Sequence, residues 1–126
     1  MEHSHKESLL AHQWSGYPKF HCARRNLLIH IMAVPVFLAA NVGLVISLVR
    51  GAWAEAAVAA ALMGTAMFVQ GRGHQMEPAP AEPFTGPLNA LARLYAEQWI
   101  TFPRFVFTGR WLEALRRQPT VDRPSR

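Results

Sequence analysis

The chain has 126 residues, half of them apolar and only 17% charged, with a formal net charge of +5 and a single cysteine, Cys22. The length suits one domain, and one cysteine excludes an internal disulfide. The positive charge does not read as a nucleic-acid footprint, because the basic residues flank two apolar runs instead of forming a patch of their own.

Residues 1–16 carry His3, His5 and His12 among mixed charges without periodicity. They read as a tail, and their histidines have no recurring ligand spacing.

The first apolar run, 27–49, is free of formal charge until Arg50. At about 1.5 Å per residue it extends roughly 34 Å, enough to cross a bilayer core. It begins after a long polar stretch and exceeds the apolar part of a signal peptide, so it is expected to stay in the membrane. Pro35 lies within it and is expected to kink the helix.

The second run, 52–70, is richer in alanine and contains Glu55. Ala56, Ala60 and Gly64 recur at a spacing of four, which predicts a close-packing face against the first helix. Only Arg50 and Gly51 separate the runs, so the two helices must fold back as an antiparallel hairpin. Arg50 is also the only basic residue between them, which predicts a multi-pass protein with both termini cytoplasmic.

Residues 71–87, dense in glycine and proline, predict a loop. Gly86 and Pro87 look like the N-cap and first position of a further helix. Residues 88–117 then place Leu88, Leu91, Tyr95, Phe102 and Phe105 roughly on one side, diluted by Arg93, Glu97 and Arg104. Such a segment suits amphipathic helices at the membrane interface, divided near Pro103. The tail 118–126 is polar. The expected fold is therefore all-α, a membrane hairpin of two transmembrane helices followed by amphipathic interfacial helices, in one domain.

A hairpin returns the end of its second helix to the start of its first. This places His74 and Glu77 beside His21, Asn26 and His30. Imidazole nitrogens with a carboxylate suit iron or zinc and leave positions for other ligands. A histidine inside an apolar span is costly unless it has a partner, which favours function. His21 and His30 are nine apart, so the helix must begin after His21 if both are to reach one ion.

These residues carry a resemblance. YPKFHCARRNLLIHIMAVP, containing Tyr17, His21, Asn26, His30 and Pro35, and QGRGHQMEPAPA, containing Gly73, His74, Glu77, Pro80 and Ala81, resemble the family of the fungal 2-hydroxy-palmitic acid dioxygenase and its bacterial relatives. The resemblance implies a multi-pass helical membrane protein that uses Fe(2+) and O2 to shorten 2-hydroxy fatty acids by one carbon. It implies His21, His30 and His74 as metal ligands, Glu77 as a further ligand or base, and Asn26 as a group orienting an imidazole. Cys22 stands where many relatives carry a second histidine. Arg24, Arg25 and Arg72 are the expected partners of the substrate carboxylate, the bilayer is the expected partner surface, and a homo-oligomer is expected if a lipid tail must be shielded. The competing expectation is a non-enzymatic membrane scaffold assembled through the small-residue stripe.

Overall fold

The computed structural model describes residues 7–117, which form helices without strands. The His3, His5 and 118–126 readings lie outside these residues. Two long helices dominate, α2 (Arg24–Val49) and α3 (Trp53–His74), packed antiparallel. They are preceded by α1 (Leu9–Phe20) and followed by α4 (Pro87–Ala96), a single π-turn (Glu97–Thr101), α5 (Phe102–Phe107) and α6 (Arg110–Arg116).

The hairpin turn has a defined chemistry. Gly51 takes a positive φ of 67°, the conformation that glycine adopts without a side-chain penalty. Its amide donates to the Leu48 carbonyl and that of Ala52 to the Ser47 carbonyl at 2.8 Å. This is the Schellman pattern, which satisfies carbonyls that the end of α2 would otherwise leave bare. α2 runs without interruption through Pro35.

Both helices are long and apolar enough to cross a membrane, and only 28% and 22% of their apolar stretches are buried. A core helix of a water-soluble protein would bury most of that surface. Here Met32, Val45, Val49, Val58 and Phe68 all face outward.

The interface between α2 and α3 differs from the expected stripe. Ala56 is buried, but Ala60 and Gly64 are exposed, and the buried positions of α3 are Ala56, Ala59, Ala66, Gln70 and Gly73. Spacings of three, four and seven follow one helical face against Ala33 and Phe37. A strict spacing of four drifts off that face, which is why Ala60 and Gly64 point away. Glu55 is exposed beside the turn and forms no ion pair among the described residues.

Two further boundaries depart from expectation. Residues expected to belong to a tail form α1, capped by the Ser8 hydroxyl, which accepts from the Ala11 amide at 3.2 Å. Helix α3 continues through Gly71 and Gly73 to His74, past the expected end at 70. Gly73 is needed there, since a β-carbon would overlap Oδ1 of the buried Asn26.

The segment after the loop starts as expected, with Gly86 at the N-cap and Pro87 at the first position. It packs along the half of the hairpin where α2 begins and α3 ends, called the near end below. Tyr95 and Trp99 hydrogen-bond Asn41, Gln98 exchanges two amide bonds with Gln70, Phe102 lies beside His30, and the Trp111 indole donates to the Leu27 carbonyl at 2.9 Å. With α1 these elements enclose an apolar cluster of Tyr17, Leu27, Val34, Phe102 and Phe105.

Candidate metal centre

Helix α1 ends at Phe20 and α2 begins at Arg24. The break releases His21 from a continuous helix and turns it toward the same point as His30, as the nine-residue spacing requires. His74, the last residue of α3, joins them from the other strand of the hairpin. The three ring centroids lie 4.7–5.1 Å apart with the planes nearly perpendicular to one another.

The fourth member is Glu97, and donor atoms of His21, His30, His74 and Glu97 all lie within 4.8 Å of one another. Glu97 opens the π-turn. Pro103 supplies a local cause for that widening: it has no N–H to give the Trp99 carbonyl four residues back, and its ring crowds that carbonyl. The Phe102 amide reaches back to Glu97 instead.

The hydrogen bonds fix which atoms face inward. His21 Nδ1 lies 3.0 Å from the Tyr17 carbonyl, and His30 Nδ1 lies 3.0 Å from the Asn26 carbonyl. A carbonyl only accepts, so both rings carry their proton on Nδ1 and present a bare lone pair on Nε2. Those two Nε2 atoms and His74 Nδ1 are buried and have no hydrogen-bond partner. Glu97 Oε1 lies 3.2 Å from His21 Nε2 and 3.3 Å from His30 Nε2, outside hydrogen-bond angles.

Three imidazole lone pairs and a carboxylate facing one another in a buried space repel unless positive charge lies among them. A proton or a metal ion meets that need, and nitrogen donors with one carboxylate suit a transition metal. The backbone carbonyls behind His21 and His30 are the outer support that metal-binding imidazoles ordinarily have. The residues present therefore fit a metal ion, and their chemistry alone leaves its identity open between iron and zinc.

Burial raises the Glu97 carboxyl, but where a proton supplies that charge, the facing His21 and His30 rings more than offset it and hold the carboxyl well below the usual carboxylate range. Burial, and then the Glu97 charge, push the Tyr17 phenol well above its ordinary value.

Of the expected site residues, His21, His30 and His74 come together, whereas Glu77 goes elsewhere. Its carboxylate accepts from the backbone amides of Cys22 and Ala23 at 3.0 Å and from Asn26 Nδ2 at 2.8 Å. Ala23, at the N-cap of α2, has no side chain able to cap, and Glu77 supplies that function from across the hairpin, where a negative charge is favoured. With its oxygens engaged there, Glu77 is a brace beside the centre and not one of its donors. Asn26 orients His30, but through its backbone carbonyl. Burial and Glu77 together push the Cys22 thiol up to about 11. Arg24, Arg25 and Arg72 are exposed at the near end and make no ion pair among the described residues.

Glu97 was hidden in the sequence by its setting, an amphipathic stretch in which a carboxylate reads as a solvated face. The available signal was Pro103 six residues later, which disturbs the helix that carries it. No protein-family model matches the chain, and no curated protein or solved structure was found to match it.

Proposed function

We propose that the chain is a multi-pass membrane protein, with both termini cytoplasmic, that acts as an iron(II)-dependent dioxygenase of 2-hydroxy fatty acids. The observation that carries the proposal is the convergence of three partnerless imidazole nitrogens and the Glu97 carboxylate. The resemblance of the two histidine blocks supports iron and the fatty acid. The outward apolar surface of α2 and α3 supports the membrane, and Arg50 as the sole basic residue at the turn supports the orientation.

His21, His30, His74 and Glu97 would hold the ion. Bound ferrous iron supplies the activation of dioxygen. The net reaction converts a 2-hydroxy acid and one dioxygen into the acid one carbon shorter, carbon dioxide and water, and balances without a further reductant. Carbonyl bonds behind His21 and His30 keep those rings aimed, so little reorganisation accompanies binding. Phe102 beside His30, and Tyr17 beside His21, exclude water from that side of the centre. The exposed Arg24, Arg25 and Arg72 suit the carboxylate of an amphiphile whose chain lies along the hairpin.

The test is incubation of the reconstituted protein with a 2-hydroxy fatty acid, ferrous iron and oxygen, with mass spectrometry of the products. The shortened acid, formed with no added reductant and lost in Glu97→Gln, is the expected result. Its absence from protein containing one bound iron per chain would reject the activity.

A second reading rests on the outward-facing Ala60 and Gly64. These allow another helix to approach α3 closely and make assembly in the membrane a function in itself. Under that reading Gly64→Leu abolishes assembly, while the histidines are dispensable.

A further inference from the structure

Tyr17 touches the centre in three different ways. Its hydroxyl donates to Glu97 Oε1 at 3.1 Å, the same oxygen that faces both His21 and His30. Its ring stacks on the His21 imidazole, centroids 3.7 Å apart and planes 8° from parallel. Its carbonyl accepts from His21 Nδ1. One residue of α1 thus fixes a histidine and the carboxylate that comes from the distant π-turn.

Packing does not account for the hydroxyl. The side chain is 2% exposed and lies in an apolar cluster with Leu27 and Phe105, where a phenylalanine would fill the same space without a polar group to satisfy. A buried hydroxyl is retained at a cost unless it has a partner, and here the partner is the Glu97 oxygen.

We propose that Tyr17 is a positioning residue for the metal-bound carboxylate. Its hydroxyl keeps Glu97 Oε1 at the focus of the imidazoles. The inference rests on the metal reading of the cluster and deepens it. The stacked ring and the carbonyl hold His21 in register with that oxygen, so α1 sets the relation between two ligands that the rest of the chain brings from opposite directions. A second side chain of α1 supports this placement: Gln13, one turn earlier, donates its Nε2 to the Arg93 carbonyl at 2.9 Å and accepts from the Thr101 hydroxyl, bracketing the π-turn.

Cobalt(II) titration of the full chain in detergent micelles tests this, since cobalt visible bands report the ligand field and its binding needs no substrate. Wild-type protein, Tyr17→Phe, Glu97→Ala and the double variant are compared. Tyr17→Phe keeps the ring and the stack, so helix content is expected to be unchanged. Its cobalt bands shift, and affinity falls about 10-fold, as for the loss of an outer-shell partner. In the Glu97→Ala background, which removes the accepting oxygen, Tyr17→Phe is expected to change neither bands nor affinity further. Identical bands and affinity in Tyr17→Phe and wild type overturn the proposal. So does an equal loss in both backgrounds, or a loss of helix content in Tyr17→Phe, each of which would assign the hydroxyl to the fold. Failure of wild-type protein to bind cobalt overturns the metal reading and this inference together, a result distinct from those three.

Discussion

The two ends of the hairpin are built on opposite principles. At the near end α2 and α3 bury His30, Asn26, Gln70 and Gly73 beneath α1, the π-turn and α5, where the buried side-chain polar atoms are partnered except Asn26 Oδ1 and the three imidazole nitrogens of the centre. Toward the turn, apart from the Asn41 bonds to Tyr95 and Trp99, the described residues of the same two helices pack on each other through Ala40, Ala56 and Ala59, with Val45, Val49 and Val58 outside. The difference shows how one pair of apolar helices divides its work. The far half needs only apolar surface and close backbones, whereas the near half holds polar groups that apolar surroundings would reject unless each were satisfied.

The sharpest way to break that contrast is His30→Ala. It removes a fully buried donor of the centre and is expected to weaken metal binding by more than about 100-fold, measured by metal analysis and cobalt titration. Glu77→Ala comes next. It bares the amides at the start of α2 and the Asn26 amide, and is expected to cost about 3 kcal/mol, read as a lower thermal midpoint in detergent. Metal is expected to bind more weakly but not to be lost, because Glu77 acts through the placement of His21 and His30.

Two glycines of α3 compare the ends directly. Gly73→Ala forces its β-carbon onto Asn26 Oδ1, which Glu77 holds in place, and is expected to destabilise by about 2 kcal/mol. Gly64→Ala meets nothing within 4 Å and is expected to be neutral or to stabilise by up to about 1 kcal/mol through helix propensity. Thermal unfolding of the pair checks both signs.

The smallest effect concerns His12, which links α1 to the loop through Glu82 at 2.9 Å. Glu82 and then Glu7 raise the His12 pKa from 6.5, so its contribution is complete below pH 6.5 and fades as pH rises through the raised value. His12 lowers the Glu82 pKa from 4.5, so that contribution is complete above pH 4.5 and fades as pH falls through the lowered value. Amide protection in residues 75–86, taken relative to the intrinsic exchange rate at each pH, is expected to be greatest between those limits and to fall on either side, and His12→Ala is expected to flatten the profile.

The hairpin and three of the four donors were legible because they depend on patterns local to the chain. Formal charge is absent from 27–49 and limited to Glu55 in 52–70, and a hairpin needs no further information to bring His74 to His30. Gly86 and Pro87 announced the start of α4 through backbone chemistry alone. Glu97, α1 and the role of Glu77 were not legible, since each depends on a partner far along the chain. Glu77 is a cap only because Ala23 cannot be one, and Glu97 turns inward only because a widened turn aims it. The stripe of Ala56, Ala60 and Gly64 misled for a different reason. Small residues at a spacing of four mark a smooth surface, but helical geometry decides which way it faces.

The break between α1 and α2, which frees His21, also bears on the order in which the centre is built. His21 and His30 leave the ribosome before the hairpin exists, His74 completes it, and Glu97 follows only after the loop. The three imidazoles are therefore synthesised before the carboxylate that would balance a cation among them, and the centre is complete only once the π-turn has followed the hairpin.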